Sequence, residues 1–271
     1  MTRAKNQFGT CRICGQKKKL SYEHVPPRVA LNKKTRYISV PFEEWTKNEN
    51  ILKYTPKGKI LQGGIGFHSL CEECNSFLGT NYVKSYENWV LSGVEVLSKY
   101  NYDFFRYIAL QQSPLKVLKQ IISMFLAMND EWYLKEYPEL SAFVKDPFSK
   151  NLPSKFNVFL YLNNEGQYRY SKHFVISQPG LGIFNATELA FPPFGYVLTF
   201  DFNQEIDRLL NITNFKNAAL DSTIDLELGL YKLATYLPFP PLDYRTKNEI
   251  GKEIEAAILY NEQKTDLDLQ K

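Results

Sequence analysis

Polar and apolar positions along the chain change character partway through. Between residues 72 and 98, Leu78, Tyr82, Tyr86, Val90, Val94 and Leu97 recur at three- or four-residue steps, the period of one helix face. Ser113-Pro114 predicts the start of a second helix, with Ser as N-cap and Pro at the first helical position. Its apolar face comprises Leu115, Leu118, Ile121, Ile122, Phe125 and Leu126. From about residue 155 the pattern turns to strands. Phe156 to Leu162, Gln167 to Ser177 and Gly195 to Phe202 are rich in β-branched and aromatic residues. Asn163-Asn164-Glu165-Gly166 predicts a hairpin connection between the first two. From Thr223 to Leu230, the alternation of Ile224, Leu226, Leu228 and Leu230 marks a half-buried strand. After the break at Pro238-Phe239-Pro240-Pro241, Thr246 and Glu249 form a capping box for a final helix ending near Glu262, with a frayed tail beyond. Residues 29–64 carry little periodicity and read as a long excursion with exposed loops at Lys33-Lys34 and Thr55 to Lys59. The whole predicts an α+β fold, a helical layer on a mainly antiparallel sheet.

A chain of 271 residues has room for one large domain or two ordinary ones, and 44% hydrophobic with 23% charged residues is a foldable composition. The longest apolar run, Ile121 to Met128 broken by Ser123, is far too short to span a bilayer. The opening residues show no apolar signal region, so the expectation is a soluble, cytoplasmic protein without a membrane partner. The net charge of +4 conceals an asymmetry. Residues 1–90 hold 15 Lys and Arg against 7 Asp and Glu, a net of +8, and the remaining 181 residues hold 18 against 22, a net of −4. Such a basic end suits a polyanion, although a run such as Lys17-Lys18-Lys19 is also an ordinary solvated face.

All four cysteines fall in two C-x-x-C pairs, Cys11/Cys14 and Cys71/Cys74. Two such pairs supply the four thiolates that a tetrahedral zinc ion takes, and Gly15 lets the chain turn tightly behind the first pair. The rival readings are a redox dithiol, which needs a single pair in a βαβ setting, and buried structural thiols. With every Cys committed to metal, no thiol remains as a nucleophile.

Between the pairs stands Tyr22-Glu23-His24-Val25-Pro26-Pro27-Arg28, and Asn75 directly follows the last Cys. The order CRIC, EHVPP, CEECN resembles the HNH endonucleases of the ββα-metal superfamily, in the branch braced by a four-Cys zinc site. The resemblance covers about residues 8–85. The helix and strand pattern beyond residue 98 reads as an α+β domain over 99–271 for regulation, dimerisation or substrate positioning, and the resemblance itself implies an HNH module over 1–98. It also implies a general base at His24, an acidic metal ligand at Glu23 and a ligand or orienting residue at Asn75. Cys11, Cys14, Cys71 and Cys74 then hold structural zinc. Nucleic acid, DNA ahead of RNA, is the implied substrate, and phage defence or a mobile element the implied context.

The residue types agree with that chemistry. A neutral imidazole can take a proton from water near neutral pH. Mg²⁺ or Mn²⁺ prefers the oxygens that Glu23 and Asn75 offer, while thiolates prefer zinc. Adjacent strand residues face opposite ways, so Glu23 and His24 can share a site only where the strand bends or ends, an interruption that Pro26-Pro27 offers. Two positions depart from the family pattern. Gly66 stands where an Asn backbone often orients the base, and Gly79 where some members carry another His. His68 is either a phosphate contact or a polar residue of the second strand. Arg12, Lys17, Lys18, Lys19 and Arg28 are candidate phosphate contacts, with solvation as the ordinary alternative. The competing function is a non-catalytic, zinc-dependent nucleic-acid-binding module; a third is protein interaction through the acidic C-terminal part, as a homodimer or with a regulatory partner.

Overall fold

Two antiparallel strands and the helix after them form the region that carries the motif. In the computed structural model, which describes residues 7–33, 35–39, 59–99, 102–163, 169–178 and 180–233, β1 is Gln7–Thr10, β2 is Lys17–His24 and β5 is Gly66–Cys71. They form an antiparallel sheet in the order β1-β2-β5. Helix α1, Glu72–Leu78, leaves β5 without a break. A wide helical turn, Gly79–Val83, joins it to α2, Lys84–Lys99. The periodicity over 72–98 therefore marks one nearly continuous helical run, whose Leu78, Tyr82, Tyr86 and Val90 are all buried.

The described residues of the excursion carry structure that its sequence does not signal. Arg28–Asn32 makes a tight turn, with Leu31 at a φ of 68°. Strands β3, Arg36–Ser39, and β4, Lys59–Gln62, then pair antiparallel. The loop expected at Thr55 to Lys59 falls outside the described residues up to position 58, and Lys59 begins β4.

Beyond α2, β6 (Phe104–Gln112) pairs with β12 (Ile224–Tyr231). Helix α3, Pro114–Met128, begins where Ser113-Pro114 predicts, although the Ser113 side chain makes no capping hydrogen bond. Helices α4, Glu131–Glu136, and α5, Pro138–Lys145, follow. The remaining strands are β7 (Phe156–Leu162), β8 (Arg169–Gln178), β9 (Gly182–Phe191), β10 (Phe194–Phe200) and β11 (Leu210–Asn211). They form one antiparallel sheet in the order β11-β7-β10-β9-β8. This corrects the expected hairpin after Asn163: β7 pairs with β10 and β11, and β8 pairs with β9. The helix expected after Thr246 lies outside the described residues.

The described part is mixed α and β with antiparallel sheets, in keeping with an α+β class. Its main core is continuous from Cys11 through Trp89 and α3 to Leu230, and so crosses residue 98. Helix α3 is buried on every side, because it lies among the other helices, β5 and the large sheet. Among the described residues, no helix is long and apolar enough to cross a membrane.

Candidate functional site

The first C-x-x-C turn closes on itself: the Gly15 N–H donates to the Cys11 carbonyl and the Cys11 N–H to the Gln16 carbonyl, both at 2.9 Å. Gly15 has a φ of +74°, the left-handed conformation that the turn requires. The Arg12 N–H donates to the Ser69 carbonyl at 2.9 Å, which draws this turn against β5. Cys71 ends β5 and Cys74 sits in the first turn of α1. All four sulfurs consequently lie within 4.8 Å of one another, with Cys14 and Cys71 3.9 Å apart. Zn–S bonds of about 2.3 Å in a tetrahedron place sulfurs about 3.8 Å apart, so the donor set fits a metal such as zinc. The Cys74 thiol donates to Cys11 and holds Cys11 down at about 4, while Cys74 itself is pushed up by that bond. Among the described residues this is the one grouping of three or more His, Cys, Asp or Glu so arranged.

β2 ends at His24, where the chain enters the cis Val25–Pro26 bond and the strand pairing stops. Glu23 and His24 face differently. The Glu23 side chain is buried, has no hydrogen-bond or ion-pair partner among the described residues, and is pushed up to about 8 by desolvation. Ser21, on the same strand face by alternation, accepts a hydrogen bond from Asn75 Nδ2 at 3.0 Å and donates to the Leu70 carbonyl at 2.9 Å. Asn75 thus lies beside the Glu23 face with its Oδ1 free of hydrogen bonds among the described residues.

Tyr22 packs against both His24 and His68. The Tyr22 ring meets the His24 ring edge-on at 5.0 Å and the His68 ring at 5.2 Å. His24 Nε2 lies 3.2 Å from the Gly63 carbonyl, which fits an Nε2–H tautomer and leaves Nδ1 with its lone pair. Burial lowers the His24 pKa, the Gly63 carbonyl opposes that shift and the charge of Arg28 adds to it. The orienting carbonyl is Gly63's rather than Gly66's. Gly66 instead pairs with His24 across the sheet, where an added Cβ would fall 2.0 Å from the Glu23 carbonyl oxygen. Gly64, at a φ of +94°, leaves room for the His24 ring, since a Cβ there would come within 2.7 Å of it.

The candidate phosphate contacts separate. Arg28 is exposed near His24, and Lys17 and Lys19 are exposed at the far end of β2. Lys18 is paired with Glu73. The guanidinium of Arg12 is mostly buried, donates to the Asn129 carbonyl at 3.1 Å and to Thr10, and pairs with Glu131 at 3.3 Å. His68 lies on β5 as expected, with its Nδ1 buried and without a hydrogen-bond partner among the described residues. No hydrogen bond joins Glu23, His24 and Asn75 to one another among the described residues. Reading the sequence overlooked Tyr22, Asn32 and the Gly63-Gly64 turn; the adjacent glycines were the available signal. Comparison with models of known families, with curated proteins and with solved structures finds no match to this chain.

Proposed function

We propose that the protein is a metal-dependent endonuclease of the HNH type that hydrolyses phosphodiester bonds in nucleic acid, with DNA the favoured substrate. The observation that carries this reading is the Glu23 carboxyl group, buried without a partner among the described residues, next in sequence to a His whose Nε2 is held by a backbone carbonyl. A buried anion without a counter-charge is costly, and a divalent cation relieves that cost. Glu23 and Asn75 Oδ1 hold Mg²⁺ or Mn²⁺, whose bonding preferences match these oxygens. Held there, the ion would supply Lewis acidity to the phosphodiester. His24 accepts the proton of the attacking water at Nδ1, while the Gly63 carbonyl keeps Nε2–H in place. Arg28 contacts the phosphate backbone. Zinc at Cys11, Cys14, Cys71 and Cys74 fixes the first turn against the junction of β5 and α1.

Plasmid cleavage with Mg²⁺ or Mn²⁺ tests this reading. Wild type is expected to cut, and His24→Ala to lose a factor of about 10² to 10⁴ in rate. A second reading is a non-catalytic binding module, favoured by the opposite facing of Glu23 and His24 on β2. It prevails if wild type and His24→Ala bind DNA equally and neither cuts with either metal.

A further inference from the structure

Asn32 lies in the excursion, four residues beyond Arg28, and is fully buried. Its side-chain amide makes three hydrogen bonds to the backbone. Nδ2 donates to the Pro26 carbonyl at 2.6 Å and to the Ile65 carbonyl at 2.7 Å, and Oδ1 accepts from the Ile65 N–H at 2.8 Å. Pro26 is two residues after His24, and Ile65 two residues after Gly63. The amide therefore bolts together the two backbone segments whose preceding residues form the His24–Gly63 contact. Neighbouring bonds reinforce it. The Val25 N–H donates to the Ile65 carbonyl at 3.0 Å, the Gly64 N–H to the Thr35 carbonyl at 3.2 Å and the Tyr22 hydroxyl to the Gly64 carbonyl at 3.1 Å.

On the nuclease reading above, we infer that Asn32 is a positioning residue for the general base: by clamping Pro26 to Ile65 it fixes the Gly63 carbonyl on His24 Nε2 and so reserves Nδ1 for the water. It touches neither substrate nor metal. A carboxylate at this position would keep the acceptor for the Ile65 N–H, lose both donated bonds, and set an oxygen against two carbonyls.

The test uses the full-length chain, with ¹⁵N-resolved spectra of the histidine rings and plasmid cleavage in Mn²⁺ measured side by side. Wild type is expected to show His24 as the single Nε2–H tautomer. Asn32→Asp is expected to show a mixture of tautomers and a kcat lower by about 10- to 100-fold, with KM for DNA unchanged. A distant core variant, Val197→Ala, matched for loss of thermal stability, should keep the wild-type tautomer and pH profile. If Asn32→Asp does not fold, Asn32→Ser, smaller and neutral, is read in the same way. A single Nε2–H tautomer with wild-type kcat in the Asn32 variant overturns the inference. The two readings fail separately: if wild type cuts nothing, the nuclease proposal falls, and the ring spectra alone still decide whether Asn32 positions His24.

Discussion

Glu23 titrates in a range where its consequences can be measured. Burial raises its pKa from 4.5 to about 8. Below 4.5 the carboxyl is neutral in both folded and unfolded chains, and stability is unaffected by this group. Between 4.5 and about 8 the unfolded chain releases the proton while the folded chain keeps it, so stability falls as pH rises, and levels off above 8. The loss is about 1.4 kcal/mol for each pH unit crossed in that window. In zinc-loaded protein without other divalent ions, Glu23→Gln is therefore expected to melt above wild type at pH 8 and close to it at acidic pH. Added Mn²⁺ should raise the wild-type Tm, increasingly so at higher pH, and leave that of Glu23→Gln unmoved. A flat wild-type profile identical to that of the variant would contradict the buried-carboxylate account. At this scale the cysteines were legible because C-x-x-C spacing is local and its chemistry specific. Asn32 was not, because one partner, Ile65, is 33 residues away and nothing in a lone Asn announces a buried amide.

Elements are decided by what packs on them. Gly93, inside α2, is a position where Ala would ordinarily add about 0.5–1 kcal/mol of stability. Here the added Cβ would fall 2.4 Å from Phe194 Cζ and 2.8 Å from Pro193 Cγ. Phe194 cannot easily yield, being buried and stacked on Trp89 at 4.9 Å between ring centres. Gly93→Ala is expected to cost about 1–3 kcal/mol in urea unfolding. Gly79→Ala, with nothing within 4 Å of the new methyl, should instead be neutral or stabilising. The helical run over 72–99 was legible because one of its faces is apolar. Strand β9 was missed because most of it is buried on both faces, which erases the alternation that marks a strand. The turn residues after Asn163 signal a reversal of the chain but do not say which strand comes to lie alongside β7.

At the scale of the molecule, the cysteine site is built into the common core. Besides Arg12, Ser141 donates its hydroxyl to the Ile13 carbonyl, and the Tyr82 hydroxyl donates to the Val144 carbonyl at 2.7 Å. Within that core, Lys119 is fully buried with its ammonium donating to the carbonyls of Phe143 and Asp146 at the end of α5, and burial lowers its pKa to about 8. Such a residue is illegible in a helix that reads as one apolar stripe. Because the core is continuous, stripping the metal with a chelator, or Cys71→Ser, is expected to lower the calorimetric transition of the whole chain as one event. Two transitions, only one of which moves, would mean that the halves unfold independently. The clamp at Asn32 has a different consequence, for how such a chain can vary. The chain leaves the neighbourhood of His24 at Thr35 and returns at Gly64, and hydrogen bonds hold its exit and re-entry together. Doubling the length of a closed loop costs only about 0.6 kcal/mol. The connection between β3 and β4 can therefore lengthen or shorten while Gly63 and the histidine it orients keep their geometry.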